Sequence, residues 1–272
     1  MADTVERWAE EYLASTELAH KLAPPPAPRR WEDGPAPLRV AKPGRPTELT
    51  VVTRAKKTPG PEAMRAREKR AQVVHTFLHH ELQAAELMCW ALLAFPEAPR
   101  AFRQGLVGIM ADEVRHMAMY GAHLEKLGHR FGDFPVRDWF WERVPEARSA
   151  ADYAATMGVG LEGANLDHCA RFAGLFRAVG DDEGAALEER VGAEEIPHVR
   201  FALHWLPRLS SSGEHVEVGG PIAFARWAAH LPPPLSPLLM KGAPLDLEAR
   251  REAGFSEAFL GALESYRPSV IA

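Results

Sequence analysis

The stretch "IMADEVRHMAMY" (Ile109–Tyr120) reads as a buried amphipathic helix interrupted by two acids, an arginine and a histidine. Glu113 and His116 are three residues apart, so on a helix they lie one turn apart on one face. Around them, positions 106, 109, 120, 124 and 127 are Leu, Ile, Tyr, Leu and Leu, so that face points into a core. A carboxylate buried in such company resists ionisation unless it is paired or bound to a cation. Glu-x-x-His is therefore read as a pair of metal ligands.

A single Glu-x-x-His says little, because this composition supplies about one by chance at helical spacing. The chain holds three: Glu17–His20, Glu113–His116 and Glu195–His198. The first stands alone in an N-terminal helical stretch and is read as the chance copy. The other two have matched partners upstream. Glu81 lies in "HHELQAAEL" and Glu162 in "GLEGANLDH". Glu113 follows Glu81 by 32 residues and Glu195 follows Glu162 by 33. Acids trail both first glutamates by five residues, as Glu86 and Asp167. The pattern is a weak internal repeat of two helical hairpins.

The turns supply a second test. Residues at equal height in an antiparallel hairpin are equidistant from its turn, since both helices rise alike. The midpoint of positions 81 and 113 is 97, inside "FPEAPR". The midpoint of 162 and 198 is 180, inside "VGDDEG". Glu81, Glu113, His116, Glu162, Glu195 and His198 are thus expected at one level. One glutamate from each of two helices, with Glu-x-x-His from each of the other two, is a dinuclear carboxylate site. Its oxygen-rich donor set predicts two iron ions, with manganese or a mixed iron–manganese pair as the alternative. Asp112 and Glu194, each preceding a ligand glutamate, are expected to accept the free N–H of a ligand histidine. Arg115 is expected to neutralise them in a poorly solvated place. Tyr120, one turn beyond His116, and Asn165, one turn beyond Glu162, are the candidate catalytic residues. Glu86 and Asp167 are expected to matter less than Glu81 and Glu162.

Working outward, four helical patterns run over about 62–95, up to 128, 150–179 and up to 209. A link of some 20 residues, "HRFGDFPVRDWFWERVPEARS", joins the two pairs. This predicts an all-α, ferritin-like four-helix bundle over 62–210, built from two hairpins and one long crossover. Residues 1–61 read as a short helix, with Val5, Trp8, Tyr12 and Leu13 on one side, followed by a proline-rich arm laid on the core. Residues 211–272 read as a C-terminal segment of short helices and loops. Pro197 inside the second Glu-x-x-His is expected to kink its helix.

Bulk properties exclude several function classes. The net charge of −5 does not suggest a polyanion-binding chain, and the basic run Arg54–Arg70 reads as a solvated helix start. Two isolated cysteines, Cys89 and Cys169, without CxxC, suit a reducing compartment and exclude a zinc ribbon. No signal peptide or membrane-length apolar run is read, and the expected location is cytoplasmic.

The chain resembles the ferritin-like superfamily at these residues. It is more closely similar to the bacterial family called domain of unknown function 455. The resemblance rests on "GRPTEL", "HHELQAAELMCWALL", "DEVRHMAMY", "GDFPV", "GLEGANLDH", "EEIPHVRFALHWL" and "KGAPLDLEARREAGF", which together cover most of the chain. "DEVRH" also resembles a pattern of di-iron monooxygenases. The resemblance implies a ferritin-like bundle with a dinuclear metal site and leaves the substrate undefined. The expected function is an oxidoreductase that activates dioxygen or peroxide to oxidise a small organic substrate. An external electron donor and homo-oligomers are compatible with it. Iron binding or ferroxidase detoxification without an organic substrate is the alternative. Hydroxylation of a modified tRNA nucleoside is a further one, supported only by the basic arm.

Overall fold

The computed structural model describes residues 2–54, 59–210 and 222–267. Among them the regular structure is helical, with one isolated parallel bridge, Val51 to Val136, in place of any sheet. No helix in the described residues is long and apolar enough to cross a membrane. Part of the basic run Arg54–Arg70 lies outside the described residues.

The chain forms two compact units. The first takes in Met1–Pro145 with Ala178–Gly184, and the second Glu146–Arg177 with Ala185–Ala272.

In the first unit, α1 spans Val5–Ala14 and α2 Leu18–Leu22. Val5, Trp8, Tyr12 and Leu13 are buried, as the N-terminal periodicity predicts. The single helix expected over this region is broken at Ser15, whose backbone is extended. The reason is tertiary. Lys21 Nζ donates to the carbonyls of Tyr12 and Leu13, and the Gly44 N–H donates to Leu13 O. The end carbonyls of α1 thus find partners outside the helix. A Cβ on Gly44 would strike the Ala14 carbonyl, so only glycine lets the arm approach this closely. The arm itself makes mixed contact: Leu49 is buried, whereas Leu38 and Val51 are exposed.

Helices α3 (Arg67–Ala94) and α4 (Arg100–Lys126) form a hairpin around the "FPEAPR" turn, and α1 packs on α3. A 3₁₀ turn at Pro61–Arg65 precedes α3, so the helix starts later than its sequence pattern suggests. From Leu82 to Ala94 every side chain is buried, which leaves this half of α3 no solvent-exposed face.

In the second unit, α5 (Ala150–Tyr153) leads directly into a nine-residue π-helix, Ala154–Glu162, and that into α6 (Gly163–Ala178). Sequence pattern alone reads this as one α-helix. Fourth in the series is α7, Asp182–Leu209, which runs on through Pro197. Pro197 and Ala193, whose carbonyl loses its helical donor there, are both exposed, so water can serve that carbonyl. Gly158 abuts Ala202 and Gly192 abuts Cys169, close approaches that a Cβ would prevent. Short helices α8 (Phe224–Ala229), α9 (Leu247–Ala253) and α10 (Glu257–Ser265) follow.

Candidate functional site

In the first unit, Glu81 on α3 meets Glu113 and His116 on α4. His116 Nδ1 lies 3.5 Å from Glu81 Oε2 and 3.4 Å from Glu113 Oε2. Each of the three offers a ligand atom within 4.8 Å of the others, in an arrangement able to hold a metal ion. Glu113 and His116 are wholly buried and Glu81 is 4% exposed. Burial, with Glu113 adding to it, holds the Glu81 carboxyl well above the usual carboxylate range, although His116 works against the shift. Tyr120, buried one turn beyond His116, packs against the Phe77 ring with centroids 5.9 Å apart.

In the second unit, Glu162 closes the π-helix, and Glu195 and His198 lie on α7. All three are buried. His198 Nδ1 is 2.9 Å from Glu195 Oε2, and Asn165 Nδ2 donates to Glu195 Oε1 at 3.4 Å. Three residues past Glu162, α6 therefore faces Glu195. π-Turns inserted in α-helices recur at functional positions, and this one carries a predicted ligand. Its conformation has outside support: Trp227 Nε1 donates to the Ala155 carbonyl at 2.9 Å, and Met240 Sδ covers Gly160.

Arg115 pairs with Asp112 at 2.5 Å, with side chains 43% and 39% exposed. The poorly solvated setting expected for Arg115 is corrected: both residues stand one step off the buried face, and α4 turns them toward solvent. Glu194 accepts from Arg190 Nε at 3.0 Å and keeps a quarter of its side chain exposed.

Histidines preceding Glu81 serve packing. His75 Nε2 accepts the Gly132 N–H at 2.9 Å, and His80 stacks on Phe140. His79 is buried, with Nε2 3.2 Å from Asp138 Oδ1. Sequence reasoning missed Glu188, which is 1% exposed and sits two turns before Glu195 on the same face of α7. That seven-residue spacing was the available signal. Also missed was a row in the second unit. Ser210 Oγ lies 3.0 Å from His230 Nε2, and His230 Nδ1 lies 2.8 Å from buried Asp152. It has the order of a hydrolytic Ser–His–Asp set. However, Ser210 Oγ donates to the Leu206 carbonyl at 2.7 Å, at the carbonyl end of α7. Negative charge developing there would face the negative end of the helix dipole. The row ties the end of α7 to α5.

A family model described as "Protein of unknown function (DUF455)" matches residues 2–261. The chain belongs to the DUF455 family. None of the curated proteins and none of the solved structures compared matches it.

Proposed function

We propose that this DUF455 protein is a dinuclear metal oxidoreductase with a ferritin-like bundle. In this reading Glu81, Glu113, His116, Glu162, Glu195 and His198 together hold two iron ions, or manganese in their place. The observation that carries it is the convergence of Glu81, Glu113 and His116 inside the first hairpin, all buried and within 4.8 Å of one another. Two buried carboxylates beside one imidazole are costly without a compensating cation. The donor set, oxygen-rich with one imidazole per hairpin, fits iron or manganese. The repeat in the sequence supplies the second half of the set.

When bound, such a pair of ions supplies Lewis-acid and redox chemistry toward dioxygen or peroxide, for oxidation of a small organic substrate. The chain's own groups do the rest. Glu81 would gain from a cation beside it, because burial disfavours its charged form in the metal-free protein. Asn165 orients Glu195 through its amide. The burial of Glu81, Glu113 and His116 keeps bulk water from that half of the set. Tyr120 and Asn165 are the residues assigned to the substrate side.

Elemental analysis after aerobic purification from iron-replete cells tests the reading. The expected result is about two iron or manganese ions per chain. Protein that is metal-free and cannot be reconstituted with either ion overturns it. Rapid oxygen uptake on adding Fe(II) alone, without turnover of any organic compound, would favour the ferroxidase alternative.

A further inference from the structure

The two acids that trail the first glutamate of each hairpin are clamped in the same way. Glu86 is wholly buried, and its two oxygens accept four hydrogen bonds. Oε1 receives Lys21 Nζ at 2.8 Å and Arg45 Nη1 at 2.6 Å. Oε2 receives Arg45 Nη2 at 2.9 Å and Trp141 Nε1 at 2.8 Å. Asp167 has no exposed side-chain surface and also accepts four. Oδ1 receives the Asp246 N–H at 2.7 Å and Arg250 Nε at 2.9 Å. Oδ2 receives the Gly242 N–H and Arg250 Nη2, each at 2.7 Å.

In both units, then, an acid five residues past a predicted ligand glutamate holds a two-pronged arginine from an appended segment. Arg45 comes from the N-terminal arm and Arg250 from the C-terminal helix α9. Five residues on an α-helix turn about 140°, so each clamp grips the side of the helix away from the ligand. A paired arginine fork fixes direction as well as charge. Such a grip sets the rotation of the helix and, through it, the aim of the glutamate. The need is greatest at Glu162, the last residue of the π-helix: a return to α-helical pairing would rotate it by about 100°. The Asp167 clamp fixes the first α-turns beyond that point.

We propose that Arg45 and Arg250 are equivalent positioning residues, which aim Glu81 and Glu162 into the metal site through Glu86 and Asp167. The inference rests on the dinuclear reading above. Its test is Mn(II) binding by the metal-freed full-length protein, followed by electron paramagnetic resonance well below the melting temperature. Arg45→Met and Arg250→Met are compared with Arg103→Met. The last breaks another buried pair, Arg103–Glu6 at 2.6 Å, which touches none of the six predicted ligands.

All three variants should melt earlier. Only Arg45→Met and Arg250→Met should bind Mn(II) about 10–100-fold more weakly while still folded, as loss of an orienting partner does. Arg→Lys at either position should recover part of that loss, since charge returns without the fork. If a Met variant fails to fold, Glu86→Gln and Asp167→Asn, which keep shape, are read in the same titration. Affinities no weaker than that of Arg103→Met would overturn the positioning role and leave the dinuclear reading standing. No Mn(II) or Fe(II) binding by the wild type would overturn both.

Discussion

His75 Nε2 accepts a hydrogen bond from the backbone N–H of Gly132 at 2.9 Å, which ties α3 to the long link between the hairpins. Only an unprotonated nitrogen accepts. Gly132 has φ +106°, and a Cβ there would meet the Glu48 carbonyl at 2.8 Å, so the close approach depends on glycine. Burial, with neighbouring His79 adding to it, pushes His75 down to about 4. The folded pKa lies below the unfolded one of about 6.5, so the unfolded chain binds more protons between pH 4 and 6.5. Stability from this group is complete above pH 6.5 and lost as pH falls to 4, by about 3 kcal/mol. Urea unfolding across that range should show the slope in the wild type, and His75→Asn should flatten it. Equal slopes in both proteins would refute the assignment.

Glu81→Gln should leave the metal-free protein as stable as the wild type, or more stable by about 1 kcal/mol, because burial disfavours the charged form of that carboxyl. The same change should abolish the rise in melting temperature on adding Fe(II) or Mn(II). Paired melts with chelator and with metal read both effects. A variant that still gains stability from metal would remove Glu81 from the ligand set.

Arg115→Met is expected to cost less than about 1 kcal/mol, since an ion pair this exposed contributes little. Arg103→Met leaves Glu6 buried without its charge partner and should cost about 3–5 kcal/mol. Chemical denaturation of the two variants side by side checks the ordering, and a larger loss at Arg115 would contradict it.

Gly158 lies against Ala202 so closely that an added Cβ would overlap the alanine methyl. Gly158→Ala should destabilise by about 1–3 kcal/mol. Combining it with Ala202→Gly should restore part of that loss, although the second glycine itself weakens α7 by about 1 kcal/mol. A double mutant cycle showing no coupling between the positions would mean the contact is not limiting.

Sequence by itself determined the elements whose signal is local. Glu113 and His116 share a face because three residues make nearly one turn, and the apolar neighbours at 106, 109, 120 and 124 mark that face as buried. The prolines of "FPEAPR" end α3, so the pairing of Glu81 with His116 follows from counting outward from the turn. Family membership was equally legible, since motifs along the whole chain carry it. What tertiary structure decided lies where a distant partner outbids the local preference. Ala154–Glu162 reads as α-helix, yet it forms a π-helix whose Ala155 carbonyl accepts from the distant Trp227. α1 stops at Ser15 because Lys21 and Gly44 claim its last carbonyls. Arg115, expected in a poorly solvated place, keeps 43% of its side chain exposed, because the helical period gives its direction and not how much of that side is covered. Glu86 and Asp167 read as lesser acids, and each proves to be the buried anchor of an arginine more than 40 residues away in sequence. A helical period encodes which way a side chain points; the partner it meets there comes from another part of the chain, and only folding brings that part near.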